Sequence, residues 1–205
     1  MNYKEALFFI AKSLTILTHK GNKKWVEKLL KNKTICWDKV VKQSTYNYVL
    51  PALYNNLKKS ALLHFLPKDL VEYMSYITNL NLLRNKQIIK QAKEINTLLL
   101  KHNIAPIFIK GTGFILQGIY NDISDRMIGD LDFLVSKKDA LKAYIILVNN
   151  GYSKFNKDAQ ITNSDFRHLP RLVKEDKVAA VEIHSELIVK RYRKEFSYKY
   201  ATENT

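Results

Sequence analysis

Over the first hundred residues the apolar positions recur at helical spacing. Residues 3–17 and 23–31 each carry an amphipathic stripe, and "WDKVVKQSTYNYVLPALYNNLKKS" continues the pattern, with Pro51 marking a helix start or a kink. Between Lys68 and Lys101 there is no Gly or Pro. There Leu70, Met74 and Ile77 step by four and three, as do Ile88, Ala92, Ile95 and Leu99. That spacing predicts one long or slightly broken helix with an apolar stripe along it. These positions belong to a core and carry no chemistry.

The pattern changes at "HNIAPIFIKG". Pro106 ends the helical regime, and Ile107–Ile109 predicts a short buried strand running into Lys110-Gly111. "TGFILQGIY" then reads as a short helix, "NDISDRMIG" as a loop and "DLDFLV" as a strand. Ser136 is the expected N-cap of a following helix, with Asp139 three residues on. Its apolar face is expected at Leu141, Tyr144, Ile145 and Val148, and its stop at Asn150-Gly151. A strand-like "YSKF" precedes "RHLPRLV" and "VAAVEIH", which flank "KEDK" as a hairpin. The predicted class is α+β: a helical region over residues 1–103, then a small mixed-sheet domain over 104–205.

Composition narrows the setting. Cys36 is the single cysteine, so no disulfide forms within the chain, which fits a reducing, cytoplasmic location. The apolar patch at the N-terminus is interrupted by Lys12 and no small-residue cleavage site follows, so no signal peptide is expected. No apolar run approaches membrane-spanning length, and no membrane partner is expected. The net charge of +15 is uneven: residues 1–103 carry 18 Lys+Arg against 6 Asp+Glu, and residues 104–205 carry 16 against 13. Such a half could grip nucleic acid. However, 17 of its 18 cations are lysines, which also serve simply to solvate helix faces.

The unusual feature is the acidic strand. Side chains two apart on a strand share a face, so Asp130 and Asp132 project together while Leu131 and Phe133 face the core. Two like charges on one face resist burial unless a cation joins them or one takes up a proton. Hard oxygen ligands favour Mg²⁺ or Mn²⁺; the plainer alternative is that both face water. Three features bear on this choice. Lys110-Gly111-Thr112-Gly113 lies at a strand-to-helix junction, where backbone N–H groups attract phosphate. Glu182, following an apolar strand run, is placed to add a third carboxylate, with His184 on its face. Arg126 offers a guanidinium to a phosphate or to an acid.

Taken in order, "IKG", a helix ending in Tyr120, Arg126, "GDLDFLV", a helix, "NGY" and "HLPRLV…VEIHSEL" resemble the uncharacterised bacterial nucleotidyltransferase family of the DNA polymerase beta-like superfamily. The motifs span roughly residues 104–188, and "VLPALYNNL" with the long helix resembles that family's N-terminal region. The resemblance implies a nucleotidyltransferase-like sheet domain that moves a nucleoside monophosphate from an NTP to an acceptor. It implies Asp130, Asp132 and Glu182 as catalytic metal ligands for two Mg²⁺ ions. Gly111 and Thr112 would hold the nucleotide's phosphates, with Lys110 and Arg126 as charge partners. The acceptor, whether a small molecule, a protein side chain or an RNA end, is left open, and so is the NTP. Members of the family often continue beyond "EIHSEL", so a C-terminus truncated relative to them is one expectation.

Two other readings compete. His168, Glu182 and His184, with Asp130 or Asp132, would suit a transition metal for hydrolysis, although no H-E-x-x-H spacing supports it. Alternatively the basic helical half binds RNA or DNA, and the sheet domain is a non-catalytic scaffold.

Overall fold

The computed structural model describes residues 1–156, 167–188, 190–193 and 195–203. They form helices followed by a five-stranded mixed sheet, an α+β architecture as expected from the sequence. Two compact units are present. One comprises residues 1–83 and 120–127; the other comprises residues 84–119 and 128–205. Among the described residues no helix is long and apolar enough to cross a membrane.

The first, helical unit contains α1 (Tyr3–Leu14), α2 (Lys20–Lys31), α3 (Trp37–Tyr46), α4 (Leu50–Lys59) and the first half of α5 (Lys68–Leu100). The start of α1 is fixed by a capping box: Asn2 Oδ1 accepts from the Glu5 N–H, and Glu5 accepts from the Asn2 N–H. Pro51 lies in the first turn of α4, where its missing N–H costs nothing. Phe9, Leu50, Leu53, Leu57 and Met74 form the buried centre. Burying side chains of that size contributes about 1.5–3 kcal/mol each before entropy is counted.

Residues 120–127 connect two elements of the sheet unit yet belong to the helical one. The sequence reads this stretch as plain loop, whereas it contains a 3-10 turn over Ile123–Asp125, capped by Asp122, which accepts from the Ser124 N–H and hydroxyl. Buried asparagines hold it. Asn55 donates to Ser124 Oγ (2.8 Å) and Asp125 Oδ1 (2.7 Å), and Asn81 donates to the carbonyls of Ser124 and Arg126.

The sheet unit has strands β1 (Ile107–Phe108), β2 (Asp130–Leu134), β3 (Ser153–Lys154), β4 (Leu172–Val173) and β5 (Ala180–His184), in the spatial order β1-β2-β5-β4-β3. Only β2 and β5 run parallel; the other neighbours are antiparallel. Leu131, Phe133, Val181 and Ile183 form the buried face of the central pair. The second half of α5 buries Ile88, Ala92, Ile95 and Leu99, the stripe read from the sequence. Arg84, at its start, donates to the carbonyls of Ile128, Gly129 and Val178. Gln91 exchanges hydrogen bonds with the backbone of Ala179. Two side chains of α5 thus fix the entries of both central strands.

Several local expectations are corrected. β1 is a half-buried edge strand rather than a buried one, and it ends before Ile109, which precedes α6 (Lys110–Leu116). An edge strand has one uncovered side, so its apolar run does not imply full burial. α6 starts two residues earlier than expected and stops before Gly118, whose φ of 70° suits glycine. In α7 (Lys137–Asn149) the expected apolar face is turned: Leu141 and Ile145 are about half exposed, at 48% and 50%, and Val148 is also exposed. Tyr144 is buried as expected, together with Ala140, Ala143, Ile146 and Leu147. Two alanines on the buried face let the helix lie close to the sheet, while Leu141, Ile145 and Val148 face outward. Ser136 holds the N-cap position, but its hydroxyl donates to the Asp139 carboxylate rather than capping the backbone.

Candidate functional site

The register of the two parallel strands builds the site. Asp130 and Asp132 alternate with the buried Leu131 and Phe133, and Asp132 stands opposite Glu182 across the β2–β5 ladder. His184 lies two residues beyond Glu182 on the same face. Ligand atoms of Asp132, Glu182 and His184 lie within 4.8 Å of one another. Asp132 is 6% exposed and His184 is 1% exposed, whereas Asp130 and Glu182 are half-buried.

Two cations neutralise most of this acid. Lys110 Nζ is 2.6 Å from Asp132 Oδ1 and 3.8 Å from Glu182 Oε2. Arg171 reaches Asp130 Oδ2 at 2.5 Å and Glu182 Oε1 at 3.1 Å, so its guanidinium bridges the two strands. His184 Nε2 is 2.8 Å from Asp132 Oδ1. Burial pushes the Asp132 carboxyl up, but the hydrogen bonds from His184 and Lys110, with the Lys110 charge, outweigh it and hold the group below the usual range. At Asp130 burial prevails: Arg171 opposes it, Glu182 and Asp132 add repulsion, and the carboxyl stands above its ordinary value.

Lys110 is aimed by an uncommon backbone. Its φ of 55° lies in the left-handed region, which costs a residue with a Cβ about 1 kcal/mol or more. Gly113, one turn on, allows α6 to sit against β1: a Cβ there would lie 2.5 Å from the Phe108 carbonyl oxygen. The Thr112 hydroxyl is buried and donates to the Asp130 carbonyl at 3.3 Å, tying the helix start to β2. The lysine-glycine junction and the acidic strand are therefore one assembly.

Of the residues singled out from the sequence, Lys110, Gly111, Thr112, Asp130, Asp132, Glu182 and His184 lie at this assembly in the sheet unit. Arg126 belongs to the helical unit, where its carbonyl accepts from Asn81. His168 is exposed; it forms an isolated bridge with His184, their rings 5.4 Å apart, and stands outside the Asp132, Glu182 and His184 group. Arg171, which pairs with the acidic face, and Arg84, which holds the strand entries, are positions that periodicity did not reveal. For Arg84 a signal existed, because it is the lone arginine among the 18 cations of residues 1–103. Arg171 gave no comparable signal, because its place one residue before a strand becomes informative only through the register with the strand of Glu182.

The donor set suits a hard divalent cation. Asp132, Glu182 and His184 offer ligand atoms within 4.8 Å of one another, Asp130 lies on the same face, and Mg²⁺ or Mn²⁺ takes such carboxylate oxygens. The His184 ring, hydrogen-bonded to the Asp132 carboxylate, is placed to orient it.

A family model described as an uncharacterised nucleotidyltransferase matches residues 33–204. No curated protein and no solved structure matches the chain. The match takes in the acidic face, the lysine-glycine junction and most of the helical unit, and the chain belongs to the uncharacterised nucleotidyltransferase family.

Proposed function

We propose that the protein is a Mg²⁺-dependent nucleotidyltransferase that moves a nucleoside monophosphate from an NTP to an acceptor and releases pyrophosphate. The observation that carries this reading is the registered pair Asp132 and Glu182, with Asp130 on the same face and the α6 junction beside it. Asp130, Asp132 and Glu182 would hold one or two Mg²⁺ ions, with Mn²⁺ as a substitute. When bound, the metal supplies charge neutralisation for the attacking and leaving oxygens of an in-line displacement.

The chain's own groups do the rest by position and charge. Lys110 and Arg171 hold the carboxylates in place before the substrate arrives, because each already pairs with them. On binding, Lys110 turns its ammonium from Asp132 to a phosphate oxygen; its half-exposed side chain has room to do so. The backbone N–H groups of Gly111 and Thr112 face the same phosphates. His184 keeps the Asp132 carboxylate oriented and ionised. The acceptor class remains among small molecules, protein side chains and RNA ends.

Calorimetric titration of each NTP with Mg²⁺ tests the reading, using the wild type and an Asp130→Asn/Asp132→Asn double variant. Binding that requires Mg²⁺ and is lost in the double variant is the expected result. Mg²⁺-independent binding that survives in the variant would instead favour an anion-binding scaffold, consistent with the surplus of lysine in the first half.

A further inference from the structure

The site continues sideways along the sheet. Leu172 pairs with Val181 in the β4–β5 ladder, so Arg171 stands opposite Glu182, and its guanidinium is 3.1 Å from that carboxylate. Lys154 pairs with Leu172 in the β3–β4 ladder, so Phe155 stands opposite Arg171, and the Phe155 N–H donates to the Arg171 carbonyl at 2.9 Å. Directly paired residues project to the same face. Asp132, Glu182, Arg171 and Phe155 therefore form one row across four strands, running from buried acid through guanidinium to aromatic ring.

The end of that row needs an explanation. Phe155 is 65% exposed, and the Arg171 guanidinium lies 5.8 Å from its ring centroid. A large apolar ring held in water beside a cation gains little for the fold. Neighbouring strands are about 4.8 Å apart, so two strand spacings, about 10 Å, separate the backbone of Glu182 from that of Phe155. A nucleotide whose phosphates lie over Glu182 and Asp132 has its sugar over Arg171 and its base over the ring.

We propose that Phe155, steadied by Arg171, is the nucleobase platform of the site. The inference rests on the nucleotidyltransferase reading and extends it from the phosphates to the base. A ring offers stacking without a hydrogen-bonding edge, so the platform accepts any base and favours the larger purines; it does not choose between adenine and guanine.

The test compares Mg²⁺-NTP with Mg²⁺-tripolyphosphate, which has no base, by calorimetry on wild type, Phe155→Ala and Phe155→Tyr. The exposed position makes both variants compatible with the fold. Phe155→Ala is expected to weaken each NTP roughly 5- to 150-fold, the loss associated with one stacked base, and to leave tripolyphosphate unchanged. Phe155→Tyr is expected to retain wild-type affinity. A 2-aminopurine nucleoside triphosphate is expected to lose fluorescence on binding wild type and to lose less on binding Phe155→Ala. Unchanged NTP affinity in Phe155→Ala would overturn the platform and leave the metal–triphosphate reading standing. Equal weakening of tripolyphosphate would also overturn it, by placing the effect at the carboxylates. Absence of binding of either ligand to wild type would overturn both.

Discussion

At the scale of single residues, Lys110 shows how backbone and charge are spent together. It is a residue with a Cβ held at φ 55°, and in return its ammonium lies 2.6 Å from a buried carboxylate. Two substitutions separate these effects. Lys110→Gly and Lys110→Met both remove the cation, but only glycine accepts the left-handed conformation freely. The glycine variant is expected to be more stable than the methionine variant by about 1 kcal/mol in urea titration. Both are expected to bind Mg²⁺-NTP about tenfold more weakly, or worse, by calorimetry. The acidic residues were legible because carboxylates inside an apolar strand contradict their surroundings. Arg171 was not, since an arginine before a short strand is ordinary until the register places it against Asp130 and Glu182.

At the scale of elements, helices and strands were recovered where burial is one-sided and failed where it is not. The stripe along α5 matched because large side chains define one face. α7 carries large apolar residues on more than one side, so periodicity chose Leu141, Ile145 and Val148 while the sheet took the side with Ala140, Ala143, Ile146 and Leu147. Ala143→Leu is accordingly expected to destabilise the protein by about 1–3 kcal/mol through overpacking. Leu141→Ala, at an exposed position, is expected to stay within about 0.5 kcal/mol of wild type. Chemical denaturation of the two variants side by side reads the difference. β1 illustrates the same limit: two apolar residues cannot say whether their strand lies at the centre of a sheet or at its edge.

At the scale of the whole molecule, chain order and compact units do not coincide. Residues 120–127 leave the sheet unit, are gripped in the helical unit by Asn55 and Asn81, and return two residues before Asp130. No local pattern announces this, because the partners lie 69 and 43 positions apart. Burial pushes the Asp125 carboxyl above its ordinary value, with Asn55 and then Lys59 opposing it. Asn55→Leu removes the larger of those two supports and is expected to cost about 1–3 kcal/mol near neutral pH. A carboxyl with a raised folded pKa destabilises the fold above that pKa and ceases to do so as pH falls through it. The cost of Asn55→Leu should therefore shrink in acid, which paired urea titrations at neutral and acidic pH can check. The lysine excess of residues 1–103 is likewise a property of the whole chain and gives no position for a partner.

The central claim, that Asp130, Asp132 and Glu182 hold a divalent cation for a triphosphate, is tested most directly by anomalous scattering from crystals grown with Mn²⁺ and a non-hydrolysable NTP analogue. The account predicts manganese within coordination distance of these three carboxylates, triphosphate oxygens on the same metal, and Lys110 turned from Asp132 to a phosphate. Triphosphate bound elsewhere, or bound with no manganese on these carboxylates and the Lys110–Asp132 pair intact, would contradict it.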